Sequence, residues 1–292
     1  MPARRQRNHE IARGNTMMTR TELGRETRLP PYVGRVHPDV DSPQFLKAIL
    51  DCRKILEAPS SRILLDARNR VGLAEIKVQE GKCVHAVIKE FRSAGFRKWK
   101  SLLTRSKAGK AWRGAAGCVS RGVPTPKPYA YLERREKGVL RESFFLSEWV
   151  DGTREIRFLL RELPPEDLSL LLAELAKHLV FCHNQGILHK DLSDGNVLVK
   201  RVGSGRFLFF LVDTNRIRLR NVLPRLMRVR NLIRLGVPDG FQDYFLDKYL
   251  GERRFPKTLK LWYKGNKALY SGYVSLKKKL GLKKLARRLK ID

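Results

Sequence analysis

Two carboxylates and an amide stand at fixed intervals in the second half of the chain. Asp191 lies in His189-Lys190-Asp191, Asn196 follows five residues later, and Asp213 follows seventeen after that. An Asp so placed can orient an attacking hydroxyl and accept its proton. An Asn amide oxygen five residues on can help hold a magnesium ion. Asp213 closes the apolar run that starts at Phe207, where its carboxylate can bind the magnesium that bridges a nucleotide's phosphates. An H-x-D alone could equally be a capping Asp beside a packed His; the register of all three residues is what points to phosphoryl transfer. That reaction also wants a fixed cation on the phosphates. Ala86-Val87-Ile88-Lys89 supplies one on a predicted strand, where alternation with buried neighbours sets Lys89 apart from a solvated lysine.

The elements that must hold these residues follow from pattern and punctuation. Ile63 to Asp66, Val71 to Gln79 and Cys83 to Phe91 have strand character, with Glu80-Gly81-Lys82 as a hairpin turn. Between the first two segments a phosphate-covering flap would want several glycines, and only Gly72 is present. Lys107 to Val119 is helical and ends before Gly122 and Pro124-Thr125-Pro126-Lys127-Pro128. Tyr129 to Glu133 and Phe144 to Val150 form a second strand pair. Pro165 to Gln185 carries Leu and Ala at helical spacing, starts at a proline and stops at Gly186. Strands are expected at Val197 to Lys200 and Phe207 to Asp213, and helices at Pro224 to Leu235, Pro238 to Leu250 and Pro256 to Gly265. The domain organisation expected is a basic, partly disordered arm over 1–43, a strand-rich lobe over 44–152, a helical lobe over 153–273 and a basic amphipathic tail over 274–292.

Composition narrows the function classes. The 292 residues hold 61 Lys plus Arg against 29 Asp plus Glu, a net charge of +32, which calls for an anionic partner. With 42% hydrophobic residues a real core is expected, so the chain is no mere basic tail. The longest apolar run, Phe207 to Val212, is far short of a spanning helix, and the Arg-rich start has no apolar signal core. A cytoplasmic location is expected. Cys52, Cys83, Cys118 and Cys182 are widely spaced, which argues for reduced thiols over a zinc site or disulfide framework.

These residues resemble the protein-kinase-like superfamily. Within it the chain is similar to the bacterial lipopolysaccharide kinases that phosphorylate heptose or Kdo sugars of the inner core. The features that carry the resemblance, over about 62 to 250, are Ala86-Val87-Ile88-Lys89, the helix from Ser106 with Trp112-Arg113, Gly122 to Pro128, His189 to Asn196, and Val212-Asp213-Thr214-Asn215-Arg216. The resemblance implies an α+β, bilobal protein-kinase-like fold: a small antiparallel β-sheet lobe with one helix, and a larger, mainly helical lobe. It implies ATP and Mg2+ as cofactors. Lys89 would hold the alpha and beta phosphates, Asp191 would be the base, Asn196 and Asp213 the metal ligands, and the backbone of Glu148 and Trp149 the reader of adenine. Asp213-Thr214-Asn215 replaces the usual Asp-Phe-Gly, no Ala-Pro-Glu follows, and the helix around Ala111 has no Glu to pair with Lys89. Ser193 stands where protein kinases carry a catalytic-loop Lys, which favours a sugar acceptor. A protein or other small-molecule kinase, and a catalytically inactive nucleotide-binding scaffold, stay open as alternatives.

The charge suggests where the acceptor goes. Seven arginines and no acid lie between Arg216 and Arg234, and Arg225 and Arg228 are the candidate ligands of a lipid-linked anionic glycan. The tail interleaves lysines and arginines with leucines from Leu276 to Leu289. A helix of that kind suits an anionic membrane surface, at about 1 kcal/mol per basic residue. Nucleic acid is the competing anion, and no nucleic-acid-binding motif accompanies the basic residues. The inner face of the cytoplasmic membrane is the expected place of work.

Overall fold

The structure, a computed structural model, describes residues 24–92, 104–203, 205–251 and 257–279. The chain divides into two compact units. One is Met1–Gly152 with Phe210–Leu219, and the other is Thr153–Phe209 with Arg220–Asp292.

The first unit is built on a seven-stranded antiparallel sheet. Its strands are β1 (Arg25–Leu29), β2 (Tyr32–Val36), β3 (Arg62–Asp66), β4 (Arg70–Gln79), β5 (Lys82–Glu90), β6 (Pro128–Glu136) and β7 (Val139–Glu148), in the order β1-β2-β6-β7-β5-β4-β3. Three helices are found among the described residues of this unit: α1 (Pro43–Ile49), α2 (Cys52–Glu57) and α3 (Lys107–Val119). Alternation along the strands sorts side chains into two cores. Ile88, Phe144 and Leu146 join Phe45 and Ile49 of α1 and Leu56 of α2. Phe91 and Phe145 face the other way and pack with Ala108, Ala111, Trp112 and Ala115 of α3. Each fully buried Phe or Ile here contributes about 2 kcal/mol of transfer free energy. Lys89, one residue on from the buried Ile88 and opposite Phe145 in register, therefore lies on the α3 face. Serines start two of the helices: the Ser42 hydroxyl accepts from the Phe45 N–H, and Ser106 accepts from the Gly109 N–H at 2.9 Å.

Two expectations are corrected here. Residues 25–36 are a hairpin at the sheet edge, with Val36 wholly buried; of the arm expected over 1–43, residues 1–23 lie outside the described residues. Arg25, Glu26, Arg28 and Arg35 break the apolar alternation of this edge hairpin, and pairs such as Arg35 with Glu26 (2.5 Å) hide its strand character from a hydrophobic pattern. The unit also has three described helices instead of one, because α1 and α2 are too short for a helical period to stand out in sequence.

The second unit is mainly helical. It contains α4 (Ile156–Glu162), α5 (Pro165–Asn184), α6 (Arg225–Leu232), α7 (Gln242–Leu250) and α8 (Lys257–Lys279), with short strands β8 (Arg154–Glu155), β9 (Ile187–His189) and β10 (Val197–Arg201). A further strand, β11 (Phe207–Leu211), leads out of it. Leu168, Leu171, Leu172, Leu175, Leu179 and Cys182 make one buried stripe along α5, which packs against α7. The helix ends where Gly186 takes φ 68. The helix expected to stop at Gly265 runs on to Lys279, because Tyr263 and Lys267 continue a buried face past it. Residues 274–279 of the expected tail are thus the end of α8, and its residues 280–292 lie outside the described ones. All four cysteines are free, and only Cys83 is exposed.

Candidate active site

In the first unit, the segment Phe210–Leu219 lies against α3 and the sheet. The end of β11 is clamped by Pro124 and Thr125: the Leu211 N–H donates to the Pro124 carbonyl (3.1 Å), and the Thr125 hydroxyl donates to the Leu211 carbonyl (2.7 Å). Asp213 then turns the chain with left-handed φ 55 and ψ 45, a conformation that Asp and Asn adopt more readily than most residues. A 3-10 turn, Thr214–Arg216, follows. The buried Thr214 hydroxyl donates to the Ala111 carbonyl at 2.8 Å. The strained turn aims the Asp213 carboxylate at Lys89, whose ammonium meets it at 2.5 Å; the side chains are 22% and 23% exposed. Phe91 flanks the ammonium, with its ring centroid 5.2 Å away. The partner of Lys89 is therefore Asp213 instead of a helix glutamate, and α3 contains no acid. Facing a triphosphate, this pair offers a cation for phosphate oxygens and a carboxylate for the metal.

In the second unit, the loop after β9 is tied down by its own polar groups. The Asp191 N–H donates to His189 Nδ1 (3.2 Å), and Asn196 Nδ2 donates to the Asp191 carbonyl (2.7 Å) and to Ser193 Oγ (3.2 Å). A carbonyl neighbour fixes which end of the Asn196 amide is nitrogen, so Oδ1 is the end left to face a cation. Asp191 Oδ1 meets the Arg234 guanidinium at 2.9 Å. A second tier holds the loop: Asn231 Nδ2 donates to the His189 carbonyl (2.8 Å), while Asn231 Oδ1 is 3.0 Å from His183 Nε2. The Asn231 oxygen can only accept, so Nε2 carries the hydrogen and His183 Nδ1 accepts from the Tyr249 hydroxyl at 2.5 Å.

That chain requires a neutral His183. Burial lowers its pKa from 6.5 to about 4, with Arg228 adding repulsion and the Asn231 hydrogen bond opposing. Between those values the unfolded chain takes up a proton that the folded chain refuses. The stability contribution is full above pH 6.5 and falls as the pH drops towards 4, by about 3 kcal/mol at 1.36 kcal/mol per pKa unit. Urea midpoints measured at pH 7.5 and 5.0 are expected to show part of this fall, and His183→Gln, which cannot titrate there, is expected to reduce it, the remainder coming from His178, whose pKa burial also lowers to about 4. An unchanged slope in the variant would assign the acid sensitivity elsewhere.

Residues 73–238 match the Lipopolysaccharide kinase (Kdo/WaaP) family. The chain belongs to that family. The matched span is more than half of the sequence and takes in Lys89, Asp191, Asn196 and Asp213. As a member, the protein is a kinase of lipopolysaccharide core biosynthesis. Among solved structures, "WaaP in complex with acyl carrier protein" is similar in fold, with a TM-score of 0.53 at 20% identity over 75% of this chain and 92% of that one. No curated protein matches the sequence.

The residues singled out in this lipopolysaccharide kinase fall into two constellations, Lys89 with Asp213 in the first unit and Asp191 with Asn196 in the second. Among the described residues no three His, Cys, Asp or Glu side chains gather as metal ligands. Magnesium asks for less, since one or two protein oxygens suffice when phosphates and waters complete the shell. The Asp213 carboxylate and Asn196 Oδ1 fit that donor chemistry. The N–H groups of Glu148 and Trp149 are already engaged, donating to the carbonyls of Lys127 (2.8 Å) and His85 (3.0 Å), so neither is left to donate to a purine. Arg228 donates to the Leu223 carbonyl and to Asn184 Oδ1, which makes it a structural link; Arg225 is exposed. Arg234, Asn231 and His183 were not distinguishable in sequence, being one of seven arginines, an isolated Asn and a helix-face His.

Proposed function

We propose that this protein transfers the gamma-phosphoryl group of ATP, with Mg2+, to a sugar hydroxyl of heptose or Kdo on a lipid-linked inner-core acceptor, using a bilobal protein-kinase-like fold. The observation that carries the reading is the Lys89–Asp213 ion pair, joined across 124 positions of sequence within one unit. A structural pair could form anywhere; this one ends the strand pattern and the apolar run that the resemblance assigns to phosphate and metal binding. In this reading Lys89 binds phosphate oxygens, and Asp213 and Asn196 hold magnesium, which when bound neutralises charge on the transferring phosphate. Asp191 orients the acceptor hydroxyl and takes its proton. Purine recognition falls to carbonyl oxygens near Glu148 and Trp149, which can accept from the adenine amino group. The decisive test is transfer of labelled phosphate from ATP to purified lipid A-core, with and without EDTA. Mg-dependent labelling of the core sugar is expected, and ATP consumption that no core acceptor stimulates would defeat the reading.

Membrane docking is part of the same proposal. No helix among the described residues is long and apolar enough to cross a membrane. Along α8, however, Leu261, Leu269, Tyr273 and Leu276 are 55–74% exposed on the face opposite the buried Tyr263 and Lys267, within a chain of net charge +32. A basic helix with such a stripe lies in a lipid interface. Leu269→Asp with Leu276→Asp is expected to lower binding to anionic phosphatidylglycerol vesicles by about tenfold or more, since each Leu buried is worth about 1.5 kcal/mol or more. Flotation unchanged by the pair would remove α8 from the interface. The WaaP neighbour is a complex with acyl carrier protein, and we include a carrier protein among the partners to be tried.

A further inference from the structure

A pocket of about 300 Å³ opens in the second unit beside the loop that carries Asp191. Lys190, Arg230, Arg234, Asn231, Met227 and Tyr270 line it, and no acid is among its lining residues. Arg230 lies in the last turn of α6 and Arg234 in the turn just past it, and both line the pocket, so one anion there can meet both guanidinium groups. Arg234 is restrained on two sides. Its guanidinium lies over the Tyr270 ring of α8, 5.6 Å from the centroid, with Nε 3.3 Å from the Tyr270 hydroxyl. Its other end holds Asp191 Oδ1 at 2.9 Å. That ion pair is partly solvated, 42% and 27% exposed, and so belongs to a class that binds weakly. An anion offered both arginine forks can compete for it, because two-point guanidinium contacts are the stronger kind.

We propose that this pocket is the acceptor's anion subsite, taking a sugar carboxylate or phosphate, and that Arg234 exchanges Asp191 for that anion when the acceptor binds. The inference rests on Asp191 as the base of the function proposed above. With Arg234 on Asp191, an Asp191 oxygen is occupied. With Arg234 on the acceptor, that oxygen is free to take the hydroxyl proton, while the sugar oxygen bonds to the gamma phosphorus and the bridging bond breaks with its electron pair leaving on ADP. A water without an anionic group would not release Arg234, so ATP hydrolysis is suppressed until the acceptor is in place.

The binding arm of the test uses Kdo for a carboxylate, glucose 6-phosphate for a phosphate and glucose as the neutral control, with affinities measured by ligand-observed NMR at 0.15 M salt. At least one anionic sugar is expected to bind more tightly than glucose, and the tighter one names the anion. Arg230→Gln with Arg234→Gln is expected to weaken it at least tenfold, whereas Arg161→Gln, an exposed position on α4 outside the pocket, leaves it within twofold. No preference over glucose, binding that survives the double substitution, or equal weakening by Arg161→Gln would each overturn the subsite. The kinetic arm compares ATP hydrolysis without acceptor. Arg234→Gln is expected to raise it several-fold and to raise the acceptor KM with that of ATP unchanged; no rise in hydrolysis would overturn the exchange. A wild type that consumes no ATP with any acceptor instead overturns the kinase reading, and the binding arm still decides the subsite.

Discussion

Asp213→Asn is expected to lower phosphoryl transfer by on the order of 10³-fold while leaving the fold intact. The size follows from the role proposed: removing one electrostatic contact to the developing charge typically costs 10² to 10³, and the carboxylate is also the acid paired with Lys89. Asn is the informative substitution because it tolerates the left-handed φ of 55, which Ala does less readily. Asp213→Ala adds about 1 kcal/mol of backbone cost to the same loss of chemistry. Neither should unfold the protein. Lys89 is 22% exposed and can rehydrate once its partner is gone, so the lost pair is worth about 1 kcal/mol or less. Asp191→Asn is expected to cost about 10² to 10⁴, the range for a general base. Initial rates at saturating acceptor, beside thermal melts, check both; an Asp213→Asn enzyme within tenfold of wild type would sink the assignment.

What could be read from the sequence was whatever is encoded locally. The H-x-D-x-x-x-x-N loop is a single stretch, and its hydrogen bonds from Asn196 back to Asp191 and Ser193 close within it. Lys89 was visible because strand alternation places it, and α3 because its Ala-rich helical spacing stops before Gly122 and the proline-rich stretch from Pro124. The Asp213 partner of Lys89 was invisible as a partner, because the ion pair joins residues that only the folded first unit brings together. The arginines show the same division. Arg225 and Arg228 stood out by density, yet Arg228 is held by Leu223 and Asn184, while Arg234 acquires its meaning from Asp191 and Tyr270. Glycine misled at Gly265, where a stop signal is overridden by the buried face of Tyr263 and Lys267. The Lys267 ammonium donates to the carbonyls of Ile233 (3.0 Å) and Leu235, which satisfies the chain just past α6 and secures α8 there.

Gly114→Ala sets two physical effects against each other at the contact that positions Asp213. Helix propensity alone favours Ala over Gly in the middle of α3 by about 0.5–1 kcal/mol. Packing opposes it, because a Cβ on Gly114 would stand 2.0 Å from the Thr214 carbonyl oxygen and 2.9 Å from its carbon. Both are backbone atoms of the residue that follows Asp213, so no side chain can swing aside. The helix and the 3-10 turn must separate, at about 1–3 kcal/mol for overpacking, plus about 1 kcal/mol if the bond from the Thr214 hydroxyl to the Ala111 carbonyl is lost. Packing is expected to win, lowering the melting temperature. A shift of about 1 Å at Asp213 is also expected to cost roughly 10² in turnover. Gly109→Ala on the same helix is the control, since its Cβ would press on the carboxylate end of Glu133 at 3.0 Å, which can move. A Gly114→Ala protein that melts higher than wild type and retains its rate would show that α3 does not set the position of Asp213.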